Sequence, residues 1–303
     1  MSPAIKKVAL AGATGNLGPA ILTALLDSQL FEVTVLTRKE STHKFPSNVT
    51  VQPVDYTSLE SITAALQGQD ALISTLAAVA LESQKLLVDA CISAGVQRFL
   101  PSEFGSDTTN PLAAKLPVFA GKVAVQQYLA SKVATAPQFS YTLVINSAFL
   151  DWGLQVGFLV DVKGKKAELK DGGDVLFSAT TLASIGQGVV GVLSHPAETA
   201  NRAVFIKNAD VTQNQLIAAA QKADPSGKWE LTHSASAALE QEGLAGLAQG
   251  DYSMGTLGKL IYRAIYGQGY GGHFTTTDNA LLGIKELDAA GVEALVREIV
   301  TAQ

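Results

Sequence analysis

Three glycines at three-residue spacing, Gly12, Gly15 and Gly18, stand in the run Gly-Ala-Thr-Gly-Asn-Leu-Gly between an apolar stretch and a helical pattern. Ile5 to Ala11 reads as a buried parallel strand, and Pro19 to Leu26 places apolar side chains at helical spacing, so the glycines fall in a strand-to-helix turn. There the missing side chains let backbone N–H groups and the helix N-terminus approach a bound anion, and the spacing suits the pyrophosphate of a dinucleotide. Small residues in such turns also serve packing alone. The strand before, the helix after and a second strand on schedule favour the ligand, with contacts expected from Gly12, Thr14, Gly15, Asn16, Leu17 and Gly18.

The second strand, Phe31 to Leu36, ends in Thr37-Arg38-Lys39, where an NAD site would place an acidic residue for the ribose 2′-hydroxyl. No carboxylate stands at that tip. Arg38 offers a planar fork for a 2′-phosphate, with Lys39 or Lys44 as a second cation, so NADP(H) is the expected cofactor. A solvated basic loop followed by Glu40 is the competing reading.

Composition suits an enzyme of this kind. The 303 residues are 47% hydrophobic and 16% charged, enough for one large core or two smaller ones. A net charge of −5 and scattered cations give no basic field for nucleic acid. The first residues run directly into the first strand without an apolar leader, and no run reaches the length of a membrane span, so a cytoplasmic location and no membrane partner are expected. The single cysteine, Cys91, lies in a helical stretch and reads as a small buried side chain. His43, His195, His233 and His273 show no metal-ligand spacing, and no Gly-x-Ser-x-Gly elbow of a hydrolase occurs.

Strands and helices alternate along the first half, the rhythm of a Rossmann-type α/β fold with a doubly wound parallel sheet. After the second strand come strands at Val49–Val54 and Ala71–Ser74 about a helix at Leu59–Leu66, then a helix at Leu81–Ala94 and a strand at Arg98–Leu100. A long helix at Lys115–Lys132 and a strand at Tyr141–Ile145 close this half. Strand ends at Ser74-Thr75, Pro101-Ser102-Glu103 and Asn146-Ser147 share the edge where open α/β folds bind ligands, which adds Ser74, Thr75, Ser102 and Ser147 to the cofactor contacts. Residues 1–150 are thus the expected dinucleotide domain and 151–303 a smaller α+β substrate lobe, with the chain free to recross. In that lobe two short strands are expected about Asp171-Gly-Gly-Asp174, then a helix at Leu182–Leu193, a strand at Ala203–Ile206 and a helix opened by Thr212. Tyr252 to His273, rich in tyrosine and glycine, reads equally as a mobile aromatic loop or as an amphipathic helix followed by a glycine-rich loop.

Together the glycine turn, the Arg38 tip, Asp55 with Ser58-Leu59, Gln97-Arg-Phe-Leu-Pro-Ser-Glu-Phe-Gly105 and Phe119-Ala-Gly-Lys122 resemble the NmrA-like and isoflavone-reductase-like branch of the atypical short-chain dehydrogenases. That branch includes phenylcoumaran benzylic ether reductases and fungal aromatic reductases. The resemblance continues through Phe149-Leu-Asp-Trp152, Ile185-Gly186 and Thr212-Gln-Asn-Gln-Leu216, so it spans nearly the whole chain.

Ordinary short-chain dehydrogenases use a Tyr-x-x-x-Lys pair, but Val118 and Phe119 stand four and three residues before Lys122, so no phenol is available. The resemblance implies that Lys122 is the general acid or base; anchoring the nicotinamide ribose is the other role open to it, and the two are compatible. Phe104, Phe149, Trp152 and Tyr266 are expected against the substrate, with Trp152 also suited to a lobe interface. Gln84 either approaches the nicotinamide or lies on a solvated face, and Glu103 reads as structural. The expectation is an NADPH-dependent reductase, monomer or homodimer, of a small aromatic or polyketide-like ketone, enone, quinone or benzylic ether. A dinucleotide-binding redox sensor without turnover, and an isomerase or cyclase in the same pocket, are the alternatives.

Overall fold

In the computed structural model, which describes residues 4–76 and 83–302, the apolar N-terminal run forms β1 (Lys7–Ala11) and leads through the glycine turn into α1 (Gly18–Ser28). The chain continues as β2 (Glu32–Arg38), β3 (Thr50–Val54), α2 (Leu59–Ala65), β4 (Ala71–Ser74), α3 (Ser83–Ala94) and β5 (Arg98–Leu100). Leu81 and Glu82, the first residues of the helix expected before Ala94, lie outside the described residues. In β1 the side chains of Val8 and Leu10 enter one core and those of Ala9 and Ala11 another, all without exposure. A strand covered on both faces needs no polar alternation, which is why it reads as an unbroken apolar run.

The long helix expected over Lys115–Lys132 is broken. Pro117 disfavours helical geometry at Leu116, which is extended (φ −70°, ψ 126°), and two 3-10 turns, Ala113–Lys115 and Pro117–Phe119, precede α4 (Ala120–Val133). Lys122 therefore belongs to the first turn of a fresh helix. After β6 (Ser140–Ile145) come β7 (Ala148–Phe149), α5 (Leu150–Gln155), β8 (Lys166–Lys170), β9 (Phe177–Thr180), α6 (Leu182–Ser194) and β10 (Arg202–Phe205).

These strands build a seven-stranded sheet in the order β10-β6-β5-β4-β1-β2-β3, parallel throughout. Helices α1 and α6 cover one face, while α2, α3 and α4 cover the other. The boundary expected at residue 150 is thus crossed again: residues 182–206 return to the large sheet, α6 against α1 and β10 beside β6. Cys91 is buried among the second set of helices, and burial pushes its thiol up.

The remaining elements are β11 (Ala209–Val211), α7 (Gln213–Ala223), β12 (Glu230–Ser234), α8 (Ser236–Ala248), α9 (Met254–Tyr266), α10 (Asn279–Leu282) and α11 (Ala289–Thr301). The two strands about Asp171-Gly-Gly-Asp174 are present as β8 and β9 but are not each other's partners. β8 pairs parallel with β12, whereas β9 lies between β11 and β7. Three consecutive left-handed residues, Asp171 (φ 49°), Gly172 (φ 87°) and Gly173 (φ 83°), make a corner instead of a two-residue hairpin turn. Tyr252 to His273 resolves into α9 and a glycine-rich loop, and the loop is tied down: Gly272 O accepts from Ser147 Oγ at 3.1 Å and from Ser178 N at 2.9 Å.

Arg98 opens β5 almost wholly buried, and no carboxylate pairs with it among the described residues. Its Nε donates to Ser140 Oγ, and Nη1 to the hydroxyls of Thr142 and Thr199, each at 2.9 Å, while Nη2 meets Pro196 O. Burial lowers its pKa to about 10. Four donors satisfied by neutral acceptors fasten β5 and β6 to the segment that delivers β10.

Where α6 crosses α1, a methyl group on Gly186 would lie 2.7 Å from Ala20 O and 2.8 Å from Ala24 Cβ. Gly186→Ala is accordingly expected to destabilise the protein by about 1–3 kcal/mol through overpacking, read from the urea midpoint at unchanged slope.

Candidate functional site

A cleft of about 640 Å³ runs along the carboxyl edge of the large sheet. One wall is the glycine turn. Gly12 is left-handed (φ +89°), and a methyl group there would sit 2.6 Å from Thr75 Oγ1 and 2.8 Å from Thr75 O. Thr75 Oγ1 in turn donates to Ala11 O and Gly12 O at 3.0 and 2.9 Å, so the end of β4 braces the turn. At Gly18 a methyl group would lie 2.2 Å from Gly12 O, which lets α1 start directly against the loop.

Gly15 differs from both. Its missing side chain faces nothing nearer than 3.5 Å, so no protein atom demands a glycine, and the space belongs to the cleft. Leu17 gives α1 no side-chain cap and its first turn holds no acid; Pro19 carries no N–H and those of Ala20 and Ile21 are bonded to Leu17 O, so the helix start offers an anion the N–H of Gly18. The turn can therefore hold a pyrophosphate, and Thr14, Gly15 and Asn16 are its exposed members, with Leu17 lining the floor.

At the far end of this wall stand Arg38, Ser41, Phe45 and Tyr56. The Arg38 guanidinium forms no ion pair among the described residues. Asp55, the nearby acid, is turned onto Thr57, whose hydroxyl (2.7 Å) and N–H (3.0 Å) hold its carboxyl below the ordinary carboxylate range. Tyr56 OH donates to Leu36 O at 3.0 Å, fixing the ring beside the guanidinium. Lys39 and Lys44 are exposed outside the cleft wall, so a second cation for a 2′-phosphate is not preset.

The other end is formed by Thr75, Leu76, Ser102, Phe104 and Phe149. Ser102 Oγ donates to Leu76 O and Ser102 N to Gln84 Oε1, each at 2.7 Å. Gln84 is buried, so its amide braces this turn and lies on no solvated face. Behind Phe104, Lys122 Nζ donates to the carbonyl oxygens of Glu103 and, at 3.3 Å, Phe104, and lies 5.8 Å from the Phe119 ring. Burial pulls its pKa below the ordinary lysine value, while the charge of Glu103 acts the other way. The amine thus rests on the backbone of the loop whose Phe104 ring lines the cleft, and is not itself part of the cleft wall.

The structure gathers Gly12, Thr14, Gly15, Asn16, Leu17, Arg38, Thr75, Ser102, Phe104 and Phe149 on one cavity. Others fall elsewhere. Ser74 is fully buried, and its Oγ has no partner among the described residues. Ser147 adopts φ 54° and spends its hydroxyl on Gly272 O. Trp152 is half-buried edge-on to Phe149, with ring centroids 6.1 Å apart, one step behind the wall. Tyr266 is 2% exposed in the second-lobe core, edge-on to Phe177, because the inward stripe of α9 carries it there and not to the cleft. Phe45 and Tyr56, which sequence reasoning missed, had a usable signal: each is an aromatic residue a few positions beyond a strand edge of the cleft.

The NmrA-like family is matched by residues 4–229. Oxidoreductase poxI of Penicillium oxalicum is 33% identical over 311 residues, covering 98% of this chain and 96% of that protein. Oxidoreductase aprR of Aspergillus flavus is 33% identical over 297 residues, covering 97% and 98%. The binary complex of leucoanthocyanidin reductase with NADPH from Vitis vinifera shares the fold, with a TM-score of 0.78 at 19% identity over 98% of this chain and 100% of that one.

Because only a ligand competes for the space at Gly15, Gly15→Ala should melt within about 0.5 kcal/mol of the parent yet bind dinucleotide roughly tenfold or more weakly, as titration calorimetry would read. Gly12→Ala, strained and clashing with Thr75, should lose both stability and binding.

Proposed function

The chain belongs to the NmrA-like family and is an oxidoreductase of it, and from that premise we propose an NADPH-dependent reductase that passes hydride to a small aromatic or polyketide-like acceptor, with Lys122 as general acid or base. The observation that carries this reading is one cleft with the Arg38 guanidinium, in no ion pair among the described residues, at one end, an open glycine turn at its middle, and two aromatic walls backed by a lysine at the other. Solved structures of the same fold include complexes with NADPH and with NADP+ and pinoresinol, which supports both the cofactor and the class of acceptor.

Bound NADPH supplies the hydride. The protein's part is to hold and to exclude. Arg38 would hold the 2′-phosphate, the N–H groups of the glycine turn and of Gly18 the pyrophosphate, and Ser102 would lie toward the nicotinamide. Phe104 and Phe149 give an apolar acceptor its walls and keep water out. To reach the acceptor, Lys122 must leave its rest position on Glu103 O and Phe104 O and swing past the Phe104 ring toward the cleft. As the acceptor oxygen gains charge it takes a proton from Nζ, and water restores it.

A dinucleotide sensor without turnover is the second reading, favoured by the rest position of the amine on backbone carbonyls. NADPH oxidation with a panel of aromatic ketones, enones and quinones separates the two. Lys122→Met should lose roughly 10²–10⁴-fold in kcat with NADPH affinity nearly kept; absence of turnover by the parent protein on every acceptor, with tight NADPH binding and partner binding that depends on the redox state of NADP, would favour the sensor. Product formed without net NADPH consumption would mark an isomerase or cyclase. Arg38→Ala should weaken NADPH by about 1.5–3 kcal/mol and NADH much less; equal losses would remove the 2′-phosphate assignment.

A further inference from the structure

The carboxylate of Glu103 is 1% exposed and sits on the loop that carries both acceptors of the Lys122 amine. Every hydrogen bond it receives among the described residues is neutral and falls on one oxygen. Oε1 accepts from the Thr108 hydroxyl and from Gln126 Nε2 at 3.1 Å, and Gln126 Nε2 also donates to Thr108 Oγ1 at 2.7 Å. Gln126 lies four residues beyond Lys122, on the same face of α4, so one helix face presents the amine and the clamp on the acid together. No cation is in contact with this buried carboxylate among the described residues, and a buried charge is costly without a counter-charge nearby.

Several charged or titratable groups stand on the segments packed about Lys122, and most are committed elsewhere. Asp107 is bound to the N–H and hydroxyl of Thr109. On α3, Asp89 holds Tyr128 and Lys132 at the far end of α4, and Lys85 is half-buried; Lys115, before α4, is exposed. Across the contact with α9, Tyr270 and Arg263 are both engaged with Glu240. The charge of Glu103 opposes the larger effect of burial on the amine.

We propose that Glu103 is a positioning residue for Lys122: its clamped carboxylate supplies the buried counter-charge that keeps the amine protonated, so that Lys122 gives a proton to the acceptor instead of withdrawing one. The role of Lys122 in turnover rests on the reading above, whereas the pairing of charges is a property of the protein alone and is testable without turnover. In Glu103→Gln the amide oxygen can still accept from Thr108 and Gln126, so the clamp survives and only the charge goes.

The test is the pH titration of the Lys122 15Nζ resonance in the free protein, assigned by its loss in Lys122→Met, beside the pH profile of kcat/KM with NADPH. Glu103→Gln should move the Lys122 titration to lower pH and move the alkaline fall in kcat/KM with it, so that its deficit is small in acid and grows to roughly tenfold on the alkaline side. If Glu103→Gln does not fold, Glu103→Asp, which keeps the charge but draws it back, must show the same displacement at smaller size. A Lys122 resonance that titrates as in the parent overturns the proposal, whatever the melting temperature does. Loss of activity in Lys122→Met alongside an unmoved titration in Glu103→Gln would leave the reductase reading standing and remove only the charge pair.

Discussion

A methyl group has no room between Gly12 and Thr75, and the rest of the site follows from that contact. It sets the distance between the ends of β1 and β4, and a second close approach, Gly18 on Gly12 O, sets α1 down on the same loop. The outcome is a concave edge of backbone donors with an unfilled space at Gly15. The first close approach is held by the hydrogen bonds of Thr75 Oγ1 to Ala11 O and Gly12 O. Both depend on the sheet's being packed on its two faces, so that strand ends cannot drift to relieve them.

Much of this was legible from residue order. The apolar run of β1, the glycine spacing and the basic tip at Arg38 carry local physics: a strand buried on both faces, a turn that tolerates φ +89°, a cation where an acid would otherwise stand. Pairing was less legible. β8 and β9 were visible as strands, yet their partners β12 and β11 lie far along the chain, and only the three left-handed residues at 171–173 disclose that the turn between them is a corner. Tyr266 shows the same limit within one helix. A tyrosine in a glycine-rich neighbourhood suits a binding wall, but which side of α9 faces the core is decided by Phe177 and the strands around it.

Pro117 has an effect beyond its own turn. By ending the 3-10 segment and restarting the helix at Ala120, it brings Lys122 into the first turn, level with the loop after β5. An unbroken helix from Lys115 would give that lysine a different height and azimuth against Glu103 and Phe104. The amine is thereby placed by a backbone constraint, and Thr108 and Gln126 hold the side chain of Glu103, whose carbonyl accepts from that amine.

The return of residues 182–206 to the large sheet bears on how such a chain matures. During synthesis the ribosome releases β1 through β6 well before β10 and α6 exist, so the nascent half carries α1 with its apolar stripe uncovered and β6 as a bare edge. Completion waits on contacts distant in the chain, the kind that form late and slowly. The rim of the cleft and the second lobe are thus obliged to mature together, and a truncated N-terminal half would emerge as sticky, edge-exposed protein, not as a miniature of the whole.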